Sequence, residues 1–286
     1  MRPAALRPAL LAAVLLAAVA AVPAALHAAP EGPVAAAADP AMAKALADPR
    51  RDKDRVRDAY RHPAETLAFF RIKPGMTVAD YMPSSGWYTR ILVPYLGDKG
   101  TYIGLTAGSA TASAETKARL QAFPASFPAK AAAWTGVPEA RIPAYTLDAI
   151  PAERKGTVDR VMIMREVHNM WPDNLLYNDL AAIRSLLKDD GLLGIEEHRA
   201  RPDAPASYTL GTMGYMREAD VIALIEAHGF KLVGKSEINA NPKDTANWPD
   251  GVWTLPPVLT LKDKDRARYE AIGESDRMTL LFAKRP

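Results

Sequence analysis

Residues 78–97, VADYMPSSGWYTRILVPYLG, place an acidic side chain, two serines, a glycine and two aromatic rings within one short turn. The carboxylate of Asp80 can accept hydrogen bonds from ribose hydroxyls, and Gly86 lets a ligand approach the backbone closely. Trp87 and Tyr88 can present π faces to a cation such as a sulfonium. These groups together have the chemistry of a nucleoside-binding turn.

The start of the following helix adds a second polar feature to this turn. Ser84 and Ser85 can cap a helix that opens near Gly86, and the free N–H groups of such a helix attract a polar or anionic ligand group. The pattern has one glycine where nucleotide-binding turns usually have three. A tight strand-to-helix connection without a ligand therefore remains an equal alternative.

Two further polar clusters follow apolar runs that are typical of buried strands. Glu166, His168 and Asn169 come directly after VMIM, where a histidine can act as a general base or can simply bond the neighbouring loop. His198 follows the run GLLGIEE, whose last two residues are acidic. No further ligand at a regular spacing accompanies these groups, so we predict no metal site.

Apolar spacing predicts the elements that position these side chains. Tyr88, Ile91, Leu92, Tyr95 and Leu96 form one face of a helix. Apolar runs predict strands at MTVADYM, GTYIGLT, TVDRVMIM, GLLGIEE, KLVGKSEI and RMTLLFAKR, with helices at HPAETLAFFRI, SAETKARLQAF and YMREADVIALIEAHGF. Strands that alternate with helices indicate an α/β fold with a mostly parallel sheet.

Several local features qualify this pattern. Four prolines between residues 124 and 143 predict an irregular stretch, and a proline- and tryptophan-rich flap followed by a short helix is predicted within residues 239–276. We expect Asp173 to cap the helix that follows it and Gly191 to end that helix. The arginines of PRRDKDRVRDAYRH alternate with aspartates, a pattern typical of a solvated, self-paired helix face.

Composition excludes several classes of protein. The chain of 286 residues has no cysteine, which excludes disulfides, thiolate metal sites and cysteine nucleophiles. The formal net charge of +3 falls to +1 if Arg2 and Arg7 are removed with an N-terminal leader. A nearly neutral mature protein lacks the basic stripe of a nucleic-acid-binding protein, so no nucleic-acid partner is predicted.

The first 30 residues have the pattern of a secretory signal peptide. Arg2 and Arg7 precede an apolar run, which ends in small residues that allow cleavage after Ala24 or at an alanine up to Ala38. An uncleaved anchor through residues 9–29 is the alternative, and it would be the only membrane contact. We therefore predict a signal peptide at 1–30, a flexible leader at 31–47, one domain at 48–286, and a periplasmic or secreted location.

The motifs resemble those of the exported, predicted class I methyltransferases of bacteria. The shared features are a Lys-Pro-Gly-Met turn, an acidic strand end and a Pro-Gly-x-Gly-Trp/Tyr-Tyr-Thr turn, which here reads Pro83 to Thr89. VHNMW, EEHRA, EAHGFKLVGKSEINANPKD and ESDRMTLLFAKRP follow in the same order. The resemblance covers most of the chain beyond residue 46.

This resemblance implies a Rossmann-like three-layer sandwich with a seven-stranded sheet of order 3-2-1-4-5-7-6, whose last-formed strand is antiparallel. It implies S-adenosylmethionine as the methyl donor and a small molecule as the acceptor. By the same resemblance, the donor site is lined by Asp80, Pro83, Ser84, Gly86, Trp87, Tyr88 and Thr106. His168 and Asn169 beyond the fourth strand, and His198 and Arg199 beyond the fifth, would then face the pocket, with His168, Asn169 and His198 as candidate catalytic residues.

Two positions depart from the family pattern. Ser84 stands where the family has glycine, and Thr106 ends the second strand where an acidic residue commonly binds the ribose. A hydroxyl accepts a weaker hydrogen bond than a carboxylate does. Two hypotheses follow: a methyltransferase that uses S-adenosylmethionine, or an extracytoplasmic binding module whose donor site has degenerated. The sequence leaves the acceptor and the oligomeric state open.

Overall fold

The computed structural model describes residues 39–286, in which strands and helices alternate along the chain. The strands are β1 (Thr77–Tyr81), β2 (Thr101–Thr106), β3 (Ala144–Thr146), β4 (Val158–Met164), β5 (Leu187–His198), β6 (Phe230–Ser236) and β7 (Arg277–Lys284). The α-helices are α1 (Pro40–Leu46), α2 (Asp58–Arg61), α3 (Pro63–Phe69), α4 (Thr89–Leu96), α5 (Ala114–Thr135), α6 (Val167–Met170), α7 (Leu176–Leu186), α8 (Ala206–Thr209), α9 (Glu218–Ala227) and α10 (Arg266–Ile272).

All seven strands form one sheet of order β3-β2-β1-β4-β5-β7-β6, with β7 antiparallel to both of its neighbours. This confirms the predicted strand order and the antiparallel last strand. The chain moves outwards in one direction from β1 to β3, and in the other direction from β4 to β6. The carboxyl ends of β1 and β4 therefore lie side by side where the order reverses, which is the usual ligand site in such sheets.

Alternate residues of the central strands point into two separate apolar layers. Val78 and Met162 belong to the layer that packs against α3, α4 and α5. Ala79 and Val161 belong to the layer that packs against α7 and α9. Because both faces of the sheet are covered, the central strands are apolar throughout rather than alternating. This arrangement is the predicted three-layer sandwich.

Helix α5 is longer than the sequence predicts. It runs unbroken through Pro124 and Pro128, which were expected to mark an irregular stretch. Proline in a helix interior removes a backbone hydrogen bond and normally breaks or kinks the helix. Here Phe127 packs directly over Gly104 of β2, where a Cβ would lie 2.5 Å from the phenyl ring. Tertiary packing therefore outweighs the local preference.

The boundary between α7 and β5 also differs from the prediction. Helix α7 begins at Leu176 without a side-chain cap, so the prediction that Asp173 caps it was wrong. Strand β5 already begins at Leu187, and Gly191 lies within this strand rather than at the end of the helix. The register between β4 and β5 shifts at this point, so the extra residues of β5 are accommodated by an irregularity in the pairing.

The N-terminal end of the described chain is a packed helix. Asp39 accepts a hydrogen bond from the Ala41 backbone N–H at 2.9 Å, and α1 buries Met42 and Ala45. Residues 40–46 therefore do not belong to a flexible leader, as had been expected for 31–47. The predicted signal peptide at 1–30 lies outside the described residues and stays a prediction. Among residues 39–286, no helix is both long and apolar enough to cross a membrane.

Substitution of Phe70 can show how strongly the stability of the fold depends on close packing against the sheet. Its ring is fully buried against Gly194 of β5, where a Cβ would lie 2.6 Å from the ring. We expect Phe70→Ala to lower the free energy of unfolding by about 3–5 kcal/mol, because a cavity would replace the ring. The control Val56→Ala removes methyl groups from a side chain that is 72% exposed; its effect should stay within about 0.5 kcal/mol in urea denaturation. Equal effects of the two substitutions would contradict this description of the core.

Candidate functional site

A cavity of about 380 Å³ lies at the carboxyl ends of β1, β4 and β5. The turn after β1, the loop after β4, the end of β5 and residues 252–258 of the predicted flap form its walls. Of the predicted site residues, it is lined by Asp80, Pro83, Ser84, Trp87, Tyr88, His168, Asn169 and His198. The fold therefore brings the predicted donor turn and the predicted catalytic residues to one cavity.

Gly86 and Thr106 do not line this cavity. The ring of Trp134, at the end of α5, packs so closely on Gly86 that a Cβ there would lie 2.3 Å from it. Thr106 lines a separate cavity of about 170 Å³, and its hydroxyl donates to the sulfur of Met82 at 3.2 Å. The protein's own side chains therefore narrow the space beside the end of β2 to this smaller cavity.

Asp80 is held inside the protein and is only 2% exposed. The hydroxyl of Tyr102 donates to Asp80 Oδ2 at 2.9 Å and lies 2.8 Å from the hydroxyl of Thr89. Burial raises the pKa of the Asp80 carboxyl to about 7, although the Tyr102 hydrogen bond and the charge of Arg165 act in the opposite direction. Asp80 is thus not the freely ionised carboxylate that the sequence suggested.

Three residues that line the cavity adopt the left-handed backbone conformation. The φ angles are 53° for Met82, 51° for Ser84 and 60° for Arg165. This region costs an L-residue roughly 1–2 kcal/mol, and glycine avoids the cost. The family resemblance places glycine at the position of Ser84, and the φ angle gives a physical reason for that preference. Such strain commonly occurs at functional sites.

The aromatic pair of the turn already contacts cations of the protein itself. The guanidinium carbons of Arg51 and Arg61 lie 5.4 Å and 4.9 Å from the centroid of the Trp87 ring. Tyr88 packs edge-on against Trp87, with the ring centroids 4.7 Å apart. The hydroxyl of Tyr88 donates to Glu196 at 3.4 Å. Contact of these rings with a ligand sulfonium remains a prediction.

His168 forms a buried pair with Glu197. Its Nδ1 lies 2.9 Å from Glu197 Oε1, and its backbone N–H donates to the other carboxylate oxygen at 3.1 Å. Burial alone would lower the pKa of this imidazole, but the charge and hydrogen bond of Glu197 raise it above the usual value. The carboxylate fixes the ring through Nδ1, which leaves Nε2 available for proton transfer at the cavity wall.

His198 lies in a different electrostatic environment. Its Nδ1 is 2.5 Å from the hydroxyl of Ser275, and its ring centroid is 5.4 Å from that of His168. Burial lowers its pKa well below the usual value, and the nearby charges of His168, Arg165 and Arg277 act in the same direction. His198 is therefore a neutral hydrogen-bonding group, whereas His168 is the better base.

The remaining predicted residues divide into two groups. Asn169 lines the cavity and donates to Glu166 Oε2 at 2.9 Å. Arg199 was expected to face the pocket, and this was wrong: its guanidinium is held by Asp276 at 2.9 Å and by Glu237 at 2.7 Å. These carboxylates lie outside the cavity, and charge-assisted hydrogen bonds of this kind hold the guanidinium there.

Tertiary structure brings together one group that the sequence spacing does not reveal. His168, Glu197 and His198 each offer a ligand atom, and these atoms lie within 4.8 Å of one another. No metal site was predicted, because the residues have no regular spacing. In the structure, Glu197 is already bonded to the His168 ring, and an ion would have to compete with that pairing.

Sequence reasoning missed the cationic wall of the cavity. Arg57 and Arg61 line it, although their segment was interpreted as a solvated helix face. Arg61 is only 4% exposed, because it is paired with Glu274 near the other end of the chain. No local signal identifies such a partner.

No family model matches the sequence, and no curated protein is significantly similar to it. Solved structures do resemble it. The [4+2]-cyclase SpnF has a TM-score of 0.50 at 14% identity, over 79% of this chain and 81% of that chain. An S-adenosylmethionine-dependent methyltransferase from Aquifex aeolicus has a TM-score of 0.44 at 20% identity, over 70% and 93% of the two chains. Geranyl diphosphate methyltransferase in complex with S-adenosylmethionine has a TM-score of 0.44 at 13% identity, over 85% of this chain and 94% of that chain.

Together with the strand order, the likeness shows the class I methyltransferase fold and no more than the fold.

The backbone strain at Ser84 can be tested directly. We expect Ser84→Gly to raise the free energy of unfolding by about 0.5–1 kcal/mol, because glycine adopts φ 51° without the cost of a Cβ. Ser85→Gly is the matched control. Ser85 lies outside the left-handed region, so glycine there should lower stability by about 0.4–1 kcal/mol. Urea denaturation of both variants measures the effects, and a loss of stability in Ser84→Gly would contradict the assigned conformation.

The raised pKa of Asp80 predicts a pH dependence of stability. The folded state binds a proton up to about pH 7, whereas the unfolded carboxyl releases it near pH 3.8, so stability falls as the pH rises between these values. Asp80→Asn remains neutral and can still accept from Tyr102. We expect the wild-type free energy of unfolding to fall by on the order of 3 kcal/mol more than that of Asp80→Asn between pH 5 and 8. Parallel pH profiles would show that Asp80 is ionised in the folded protein.

Proposed function

We propose that the protein transfers a methyl group from S-adenosylmethionine to a small acceptor. The observation that carries this proposal is that His168, held by the buried Glu197, lines the same cavity as the Asp80-to-Tyr88 turn. A general base and a donor-binding turn are the two parts that such a reaction requires of the protein. The class I fold supports the proposal but does not by itself select the reaction.

The cavity fits one end of the donor better than the other. Its volume of about 380 Å³ and the turn around Ser84 suit the amino-acid and sulfonium end. The adenosine end would extend towards β2, where Met82 contacts Thr106 and the Trp134 ring covers Gly86. Binding of the whole donor therefore requires these side chains to move. The sulfonium of the bound donor supplies an activated methyl group, so the reaction needs alignment more than further activation.

The residues of this chain would then divide the remaining work. The backbone around Pro83 and Ser84 would position the donor, and the flap residue Trp253 would help to exclude water from the cavity. His168 would take the proton from the acceptor hydroxyl or amine at Nε2 as the acceptor atom bonds to the methyl carbon. The carboxylate of Glu197 would stabilise the imidazolium that forms.

The narrow space beside β2 favours a second candidate function. Trp134 and Met82 narrow the region where the adenosine would lie to a cavity of about 170 Å³, and Thr106 offers a hydroxyl in place of a carboxylate. The chain would in that case be a small-molecule-binding module on a methyltransferase scaffold. The predicted export is consistent with this function, because the donor is made in the cytoplasm.

Calorimetric titration with S-adenosylhomocysteine separates the two functions. If the protein is a methyltransferase, the wild type should bind with a Kd in the micromolar range, and His168→Gln should bind equally well. In a screen of acceptors, His168→Gln should lower the formation of S-adenosylhomocysteine from the donor by about 10²–10⁴-fold, because the base is lost. The matched variant His228→Gln, outside the cavity, should change neither value.

The second function predicts the opposite result for the wild type. No heat should then appear with the wild type, whereas the double variant Ser84→Gly, Thr106→Asp should gain binding, since it restores the glycine and the acidic residue of the family pattern. If well-folded wild type and double variant both fail to bind, donor-dependent methyl transfer is ruled out.

A further inference from the structure

Two buried carboxylates and four arginines form a charged cluster beneath the cavity. Glu274 accepts hydrogen bonds from Arg57 Nε at 2.6 Å and from Arg61 Nε at 2.9 Å. Glu196 accepts from Arg165 Nη1 at 2.7 Å. Arg277 lies between them, and its Nη1 donates to Glu196 at 2.9 Å and to Glu274 at 3.2 Å. Four guanidinium groups therefore share two carboxylates.

Arg57, Arg61 and Arg165, here called the arginine corner, line the cavity and have donors to spare. Arg61 is 4% exposed, yet within residues 39–286 neither of its Nη atoms has a hydrogen-bond partner. Arg57 Nη2 is shielded from solvent and also lacks a partner in this part of the chain. Arg165 bonds only through Nη1 among the described residues. A buried cationic donor without a partner, such as Arg57 Nη2, is costly, so this corner is incomplete as it stands.

Other acidic groups near the cavity do not balance this charge. Burial raises the pKa of Asp80 to about 7 and also raises the pKa of Glu166, so both groups carry less negative charge near neutral pH than exposed carboxyls do. Glu197 is paired with His168, whose own pKa is raised. The wall formed by the arginine corner therefore keeps an excess of positive charge.

We propose that the arginine corner binds an oxyanion, a carboxylate or a phosphate group, of the ligand that fills the cavity. Guanidinium groups present paired N–H donors that match both kinds of oxyanion, and a bound anion would satisfy the free donors and balance the cluster. The assignment of this ligand as a reactant in methyl transfer rests on the proposed function, whereas the anion contact does not. The oxyanion can belong to the acceptor or to the amino-acid end of the donor.

Titration of the full chain with inorganic phosphate tests the contact itself. Phosphate should raise the melting temperature beyond the effect of chloride at equal ionic strength, with saturation in the millimolar range. Arg57→Gln and Arg165→Gln should each weaken this binding by about tenfold or more, because each removes charge-assisted hydrogen bonds. Both variants leave Glu274 or Glu196 paired with other arginines, which favours folding. Arg201→Gln is the matched control, because this arginine pairs with Asp203 away from the cavity, and it should behave as the wild type does.

Two nucleosides identify the source of the oxyanion. S-adenosylhomocysteine carries a carboxylate, and 5′-methylthioadenosine lacks the whole amino-acid end. The oxyanion comes from the donor if S-adenosylhomocysteine binds at least about tenfold more tightly than 5′-methylthioadenosine does. In that case, both the Arg165→Gln substitution and added phosphate should abolish the difference in affinity. If phosphate and S-adenosylhomocysteine bind together, the oxyanion comes from the acceptor. Either result supports the proposal.

Failure of the proposal and failure of the proposed function give different results. If phosphate binding depends on the arginine corner and S-adenosylhomocysteine does not bind, the anion site is supported and the methyltransferase function is contradicted. If S-adenosylhomocysteine binds equally well to the wild type, Arg57→Gln and Arg165→Gln, and phosphate has no effect beyond that of chloride, the anion site is contradicted. The methyltransferase function is then still supported. The wild-type titrations alone decide this if a variant does not fold.

Discussion

Two buried carboxylates are shared among four arginines, and these ion pairs connect the chain segments that form one wall of the cavity. Glu196 lies on β5 and Glu274 lies three residues before the start of β7. Their partners come from the N-terminal helices, the loop after β4 and β7 itself. A buried charge is tolerated only when it is well paired, and removal of one partner is far more costly than removal of a surface ion pair. The cluster therefore fixes the segment before β1 against the far half of the sheet, and it gives the cavity a cationic wall.

The two sides of the cavity differ in how they are kept open or closed. On the side of β4 and β5, His168 and His198 are held by Glu197 and Ser275, and space remains in front of them. On the side of β2, Trp134 fills the space over Gly86. Helix α5 carries this ring and continues past two prolines, and its Phe127 packs on Tyr102 and Gly104 of β2. The length of one helix thus decides how narrow the space beside β2 is.

The fold and part of the site followed from particular sequence patterns. Apolar runs identified every strand except the short β3, which only the resemblance implied, and the resemblance supplied the strand order. His168, Asn169 and His198 follow predicted strands, and the resemblance implied that they face one pocket; the structure places them at the carboxyl ends of β4 and β5. Arg57, Arg61 and Glu274 were not expected, because the contact joins residues more than two hundred positions apart. Asp80 was correctly placed at the strand end, but its burial could not be read from the sequence.

The sequence by itself determined the alternation of strands and helices and the residues that end the central strands, because hydrophobic periodicity is a local property of the chain. Only the tertiary structure decided which of those residues meet and in which protonation state. The neutral tendency of Asp80, the pairing of His168 with Glu197 and the surplus of guanidinium donors all arise from burial. Burial depends on packing between distant segments, and free energies of ionisation respond to it more strongly than to any neighbour in sequence.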